Sequence, residues 1–260
     1  MRTFCVILSA CLMLASTSSC CAMTAKQRAE NALEDMRAEQ YFTNAVQAKF
    51  VTAIGKNDNN AANELLAQGA EVNAFGDEGI TPLIWALLKQ QIGSVEFLLG
   101  KGADPNQVTR WTNELGREEW ASPLSVAAKF ENERYLEALL AEGANPNLIV
   151  NAVDETALFT ASLHRRFRNM ELLIAKGADV NHRSQFGYTP VLDAVLGRVF
   201  SSALVLLNAG ANPRLQNANR QSAMSILQHY GNRGVVIGSE DAAAYLKLTK
   251  ELKRRGYLPE

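Results

Sequence analysis

Cysteine is missing from most of this chain of 260 residues, because all four cysteines lie within the first 21 positions. The rest of the chain therefore has no catalytic thiol, no disulfide framework and no cysteine zinc site. The chain also lacks an excess of one charge, since it contains 26 basic and 27 acidic residues. This balance argues against a nucleic-acid-binding protein. With 47% hydrophobic and 20% charged residues, the composition is typical of an ordered protein.

Catalytic and metal-binding motifs are missing as well. The three histidines, His164, His182 and His229, stand far apart and lack metal-ligand spacing. The sequence contains no GxSxG, HExxH or dinucleotide-binding motif, and we expect no carboxylate in an apolar setting. The stretch 231–239 resembles a phosphate-binding loop only in its glycine content, and we expect an ordinary loop there. The sequence therefore predicts no catalysis, no cofactor and no metal site.

The start of the chain has the pattern of an export signal over residues 1–22. Arg2 precedes the apolar run Phe4–Ala15, which is too short to span a bilayer, and small residues follow. Cleavage after Ala22 would release a soluble protein, whereas lipoprotein processing at Cys20 would leave a lipid anchor. Both interpretations predict a chain that is exported from the cytoplasm. A buried N-terminal core helix is disfavoured, because a polar segment follows the uncharged, cysteine-rich run.

A repeat dominates the remaining sequence, with turn glycines at intervals of 33, 41, 34 and 33 residues. Each interval has Thr or Ser before Pro or Ala, an alanine four residues later, and an aliphatic pair shortly before the glycine. These residues suit a helix start and a helix end, so each unit is predicted to be a helical hairpin. Such a hairpin cannot enclose its own apolar face and must stack on neighbours. The repeated alanines are Ala53, Ala86, Ala127, Ala161 and Ala194, and the turn glycines are Gly69, Gly102, Gly143, Gly177 and Gly210.

The pattern resembles the ankyrin repeat, through the start Thr81–Leu83, the pair Leu98-Leu99 and the turn Gly102–Asn106. The resemblance covers residues 43–256 and implies an all-α solenoid of about six stacked units. It also implies a capping helix in residues 23–42, a second cap in residues 240–256, and protein binding without catalysis. The histidine usual after Thr-Pro-Leu is absent, so we expect hydrophobic packing in place of its hydrogen bonds between turns. The residues found there are Ile84, Ser125, Phe159 and Leu192.

The interval of 41 residues implies an enlarged finger loop over residues 107–121, which carries Trp111 and Trp120. Two interpretations remain for these tryptophans. They fold back onto the core, since Trp is usually well buried, or they form a hot spot for a protein partner.

The resemblance also implies a recognition face, because ankyrin stacks bind partners through the fingers and the exposed side of the first helices. The alternative is an ordinary solvated surface with scattered apolar residues. The predicted partner-binding residues are Asp77, Glu78, Ile80, Leu88, Lys89, Trp111, Glu118, Glu119, Trp120, Lys129, Phe130, Leu163, His164, Phe186, Tyr188 and Leu196.

Small exported ankyrin proteins that this chain resembles include immunity proteins against type VI secretion effectors. The leading hypothesis is therefore a monomeric periplasmic inhibitor of a toxic effector such as a phospholipase. A periplasmic scaffold or stress protein that supports catalase is the second hypothesis, and an enzyme or small-ligand binder is the third. Nucleic acid is not an expected partner, and membrane contact is expected only through the lipid anchor.

Overall fold

The structure, a computed structural model, describes residues 36–112, 118–233 and 239–258. The chain divides into two compact units. Unit 1 comprises Met1–Ala127 and Arg134–Asn145, and unit 2 comprises Ala128–Glu133 and Pro146–Glu260. In the described residues the secondary structure is helical apart from one two-stranded hairpin in unit 1. None of the helices within these ranges is both long and apolar enough to cross a membrane.

Unit 1 holds three helical hairpins and the strand pair. A short 3-10 turn, Ala38–Gln40, precedes the first hairpin, and a second one, Asp77–Gly79, precedes the second hairpin. The helices are α1 (Ala45–Gly55), α2 (Asn59–Ala67), α3 (Pro82–Leu88), α4 (Ile92–Gly100), α5 (Pro123–Ala127) and α6 (Arg134–Ala141), and the strands are β1 (Thr109–Thr112) and β2 (Glu118–Ala121).

Unit 2 holds three further pairs of helices. The last helix packs against α10, and its Leu248 and Leu252 are buried. The helices are α7 (Ala157–Leu163), α8 (Phe167–Ala175), α9 (Pro190–Leu196), α10 (Phe200–Asn208), α11 (Ala223–Arg233) and α12 (Ser239–Arg254). Helix α11 includes residues 231–233, so the expected loop does not begin at Gly231, and residues 234–238 lie outside the described ranges.

The hairpins form where the sequence places helix starts and stops. The hydroxyl oxygens of Thr81 and Thr189 accept hydrogen bonds from the N–H groups of Ile84 and Leu192, at 3.2 and 3.3 Å. Each threonine is followed by a proline at the first helical position, where a missing N–H costs nothing. Gly102 ends its hairpin with φ of 86°, a left-handed conformation that favours glycine.

Asparagine side chains bridge successive turns within each unit. In unit 1, the Asn106 side chain donates to the Gly143 carbonyl at 3.1 Å and accepts from the Asn145 N–H at 2.7 Å. In unit 2, Asn147 makes the same two bonds to Gly177 and Asp179, at 2.9 and 2.7 Å. Hydrogen bonds between neighbouring turns are thus present, although the family's usual histidine is absent.

The residues that replace this histidine behave in two ways. Ile84, Phe159 and Leu192 are buried, as the prediction of hydrophobic packing requires. Ser125 instead exchanges hydrogen bonds with Ser122: each backbone N–H donates to the other hydroxyl, at 3.0 and 3.1 Å. This reciprocal cap fixes the start of α5.

Most of the N-terminal cap prediction lies outside the described residues. The described residues do not include the export segment with Cys20 or positions 23–35, so the capping helix stays a prediction there. Residues 36–42, which we call the strap, are irregular except for the turn Ala38–Gln40. The strap packs against α1 and buries the side chains of Met36, Ala38, Tyr41 and Phe42.

Candidate protein-binding surface

The first helices of unit 2 expose one side between buried neighbours. Thr160 and Leu163 of α7 and His164, the residue after it, are half-buried, and in α9 so are Asp193 and Leu196. Helical spacing places each set on one side of its helix. The two helices approach closely there, because a Cβ on Gly197 would lie 3.3 Å from Leu163 Cδ2. We call these five residues the unit 2 face.

His164 is hydrogen-bonded to its own helix, and its pKa is lowered by its surroundings. Its Nδ1 lies 2.9 Å from the Thr160 carbonyl oxygen, so Nδ1 carries the proton that is donated to this oxygen. Burial lowers the pKa of His164, and the positive charges of Lys129 and Arg166 lower it further, against the opposing effect of that hydrogen bond. The imidazole is therefore neutral at physiological pH. Its buried Nε2 finds no hydrogen-bond partner among the described residues.

Asp193 is the carboxylate of this face. Burial raises its pKa to about 7, and the negative charge of Glu155 adds to the effect. Burial likewise raises the pKa of Glu155, although the Asn151 side chain donates to that carboxylate at 2.6 Å. The structure gives Asp193 no ion pair within the described part of the chain. The expectation that no carboxylate lies in an apolar setting is therefore wrong.

The finger loop beside the unit 2 face holds an exposed aromatic on a fixed backbone. Phe186 is 51% exposed, while Tyr188 is half-buried. The Gln185 N–H donates to the Val153 carbonyl, and the Phe186 carbonyl accepts from the Ala218 N–H, both at 2.9 Å. The loop is thus bound on both sides to neighbouring fingers. A fixed backbone lets an exposed aromatic bind with little loss of entropy.

Side chains at the start of α8 and directly before it hold the backbone of Lys129 and Phe130 in place. The Arg166 side chain donates to the Lys129 carbonyl at 2.6 Å, and the Asn169 side chain donates to the Phe130 carbonyl at 2.9 Å. Both predicted side chains are half-buried. Seven of the predicted residues therefore lie in unit 2: Lys129, Phe130, Leu163, His164, Phe186, Tyr188 and Leu196.

The enlarged finger is a β-hairpin. Thr109 and Ala121 pair at its base and are buried, and Arg110 pairs with Trp120. The Arg110 guanidinium lies 4.1 Å from the centroid of the Trp120 ring, which is within cation–π range. Trp120 is half-buried. The backbones of Trp111, Glu118 and Glu119 belong to the strands, and their side chains lie outside what the structure describes.

The predicted residues on the first helices of unit 1 are largely covered. Ile80 and Leu88 are 0% and 6% exposed, so a correction is needed: both belong to the core. Trp85, on the same side of α3, is 2% exposed and lies under the strap, with its ring centroid 5.9 Å from that of Tyr41. Lys89 is half-buried, and its Nζ donates to the Met36 carbonyl at 3.3 Å.

Of the two acidic residues predicted on the turn Asp77–Gly79, Asp77 has an exposed side chain, and the side chain of Glu78 is not among the described ones. We define the unit 1 face by its residues Thr52, Trp85, Leu88 and Lys89.

Sequence reasoning missed Asp193 and Glu155. One signal was available for Asp193. It directly precedes a repeated alanine, a position that holds Thr52, Trp85, Val126 and Thr160 in other repeats. A charge at a position that is otherwise uncharged was a reason to examine it. Glu155 had no comparable signal. Among the described residues no group of three or more His, Cys, Asp or Glu could hold a metal ion.

Two parts of the chain match sequence models of one family. Residues 124–217 match ankyrin repeats in three copies, and residues 78–110 match a single ankyrin repeat. These ranges cover the described helices α3 and α4 and continue from α5 to the end of α10.

Several curated proteins have similar sequences. Protein PhlB of Serratia liquefaciens is 39% identical over 116 residues, which cover 45% of this chain and 48% of PhlB. Mitochondrial disaggregase of Bos taurus is 32% identical over 52% of this chain and 19% of its own length. Ankyrin repeat and SOCS box protein 16 of Homo sapiens is 30% identical over 66% of this chain and 38% of its own length. The alignments thus span less than half of each of these three relatives.

Among solved structures, the crystal structure of the ankyrin repeat domain of Bcl-3 is similar. The TM-score is 0.63 and the identity is 23%, over 80% of this chain and 86% of that one. At this identity the likeness concerns the fold alone. It confirms the predicted fold class, an all-α ankyrin-repeat solenoid.

Proposed function

Because this chain is built from ankyrin repeats, we propose that it is an exported binding protein whose unit 2 face holds one protein partner. Ankyrin repeats are typical of non-catalytic modules that bind proteins. The observation that carries the proposal is the chemistry of the unit 2 face. Leu163 and Leu196 are half-buried there beside a carboxylate, Asp193, and Phe186 stands exposed on a fixed finger.

This chemistry favours a basic residue of the partner. A lysine or arginine could lay its aliphatic stem along Leu163 and Leu196 and bring its cation to Asp193. The cation would offset the burial and the repulsion from Glu155 that raise the pKa of Asp193. Phe186 would act as an anchor, since aromatic side chains are enriched at protein interfaces.

We further propose that the partner is a toxic type VI secretion effector, such as a phospholipase, and that binding blocks it in the bacterial periplasm. The support is the export-signal pattern of residues 1–22, together with the resemblance to exported bacterial immunity proteins. The similarity to Protein PhlB, which comes from the bacterium Serratia liquefaciens, agrees with the proposed bacterial location. The mature chain is soluble or anchored through Cys20.

The test is affinity capture with the full chain from the source organism, followed by measured affinities. An inhibitor should retain one stoichiometric partner at nanomolar affinity. The double variant Phe186→Ala, Leu196→Ala should bind this partner at least about 30-fold more weakly, because the loss of even one hot-spot side chain costs about 2 kcal/mol or more. Phe75→Ala, which removes an exposed aromatic of unit 1, is the matched control and should bind normally.

Two results would contradict parts of the proposal, and a third decides between the two interpretations of the finger tryptophans. Several weak partners would favour the periplasmic scaffold instead. Unchanged affinity of the unit 2 variant would exclude its face. If Trp111→Ala, Trp120→Ala unfolds the chain instead of weakening binding, the tryptophans are core residues and not part of the interface.

Toxicity and location are tested separately. The captured effector, expressed with an export signal attached to it, should arrest growth, and co-expression of the exported chain should restore growth. A form of the chain that begins after Ala22 and stays in the cytoplasm should not restore growth. Cys20→Ser should abolish incorporation of labelled palmitate if the chain is a lipoprotein, and should have no effect if the chain is soluble.

A further inference from the structure

The strap makes the kinds of contact that a bound peptide makes. The Asp77 N–H donates to the Tyr41 carbonyl at 2.5 Å, and Lys89 Nζ donates to the Met36 carbonyl. Two adjacent aromatic side chains provide the packing. Tyr41 lies against Trp85, and Phe42 lies beside Gly76, where a Cβ would come within 2.8 Å of the Phe42 ring. Backbone bonds combined with side-chain pockets are how grooves recognise extended segments.

Helix α1 does not depend on the strap for its start. The Asn44 side chain accepts hydrogen bonds from the N–H groups of Val46 and Gln47, at 2.9 and 3.1 Å. Thr43 and Asn44, which connect the strap to α1, are exposed. The strap can therefore leave the unit 1 face while α1 keeps its cap.

The strap leaves one polar group of the face unsatisfied. The indole N–H of Trp85 is buried, and no partner for it exists among the described residues. An unpaired buried donor weakens the closed arrangement. A different segment that brings a hydrogen-bond acceptor to this point would form a bond that the strap does not form.

We propose that the unit 1 face is a second binding site, a groove for an extended protein segment, which the strap closes in the free protein. The segment that fits has two adjacent aromatic residues and an acceptor side chain for Trp85. It binds by displacing the strap, so the chain regulates access to its own groove. This site is distinct from the unit 2 face and does not depend on it.

The experiment measures binding of a labelled peptide with the sequence of residues 36–43 to the full chain. The wild-type chain should bind weakly, because its tethered strap competes at millimolar effective concentration. The variant Tyr41→Ala, Phe42→Ala should bind the peptide at least tenfold more tightly. Phe75→Ala is the control and should behave as the wild type. A peptide with both aromatic residues changed to alanine should not bind.

Equal affinity of the wild type and the strap variant would overturn the proposal, as would equal binding of the two peptides. If the strap variant does not fold, hydrogen exchange of the wild type decides. The Asp77 amide should exchange at least tenfold faster than the Val95 amide inside α4, since the strap opens locally. Equal rates would show that the strap opens only with the whole unit, and the proposal would fail.

Discussion

The position before each repeated alanine is buried at Trp85 of unit 1 and half-buried in unit 2, although Thr52 of unit 1 is half-buried as well. In unit 1, Trp85 occupies it and is 2% exposed beneath Tyr41 of the strap, with Leu88 buried beside it. In unit 2, the same position holds Thr160 and Asp193, which stay half-buried. The helix geometry is shared, so the difference comes from the side chain and from whether another segment covers it. The same position of the repeat therefore holds a core side chain at Trp85 and half-buried side chains at Thr160 and Asp193.

The largest expected effect is on stability at this position. Trp85→Ala should lower the free energy of unfolding by about 3–5 kcal/mol, because it removes a large buried side chain. Thr160→Ala, the matched change in unit 2, should lower it by at most about 0.5 kcal/mol. Equilibrium urea unfolding of both variants measures the difference. Similar losses of stability in the two variants would show that this position is equally important for packing in both units.

The next effect depends on pH and concerns Asp193. The folded chain holds the Asp193 proton up to about pH 7, whereas an unfolded chain releases it near pH 4. The free energy of unfolding should therefore fall as pH rises from about 4 to about 7, and level off above this. Asp193→Asn should raise stability at pH 8 by about 1–2 kcal/mol, given partial solvent screening.

At pH 4 the same variant should differ from the wild type by at most about 0.5 kcal/mol, because Asp193 is protonated in the folded chain and about half protonated in the unfolded one. Thermal unfolding at the two pH values measures the contrast. A stabilising effect of Asp193→Asn that is equal at pH 4 and pH 8 would show that this carboxylate is not strained by burial.

A smaller effect should be equal in the two units. Asn106→Ala and Asn147→Ala each remove two hydrogen bonds between turns. Each should cost about 1–2 kcal/mol, since these bonds lie at the surface. Urea unfolding of the two variants tests whether the turns contribute equally to stability in both units. A loss confined to one variant would show that the turns are not equivalent.

The smallest expected effect on stability belongs to the exposed finger aromatics. Phe75→Ala and Phe186→Ala should change the free energy of unfolding by less than about 0.5 kcal/mol, because their side chains are 60% and 51% exposed. Only Phe186→Ala should weaken partner binding. Calorimetric unfolding and binding titrations of the two variants separate these roles. A large loss of stability for Phe186→Ala would assign it to packing.

Much of the frame was predictable from local residue patterns. Thr81 caps α3 and Gly102 ends its hairpin in the left-handed conformation, as the sequence indicated. The strands of the enlarged finger were not predicted, because its length identified only an insertion. Pairing of Arg110 with Trp120 depends on register across that insertion, which a repeat pattern does not encode.

The candidate site was predictable only in part. Leu163 and Leu196 remain half-exposed, where the helix pattern placed them. Leu88 stands at the matching position and was predicted alongside them, yet it is buried. The repeat pattern describes each unit by itself and carries no information about a segment from outside the repeat that covers it.

The sequence alone therefore determined the ankyrin frame of this protein, because helix caps, turn glycines and apolar spacing act within each unit. Only the tertiary structure decided which face is open and how its charges behave. The strap reaches Trp85 and Lys89 from far along the chain. Burial raises the pKa of Asp193, and the charge of Glu155 in another repeat raises it further. Burial and Coulomb interactions depend on distance in space, and chain folding sets that distance.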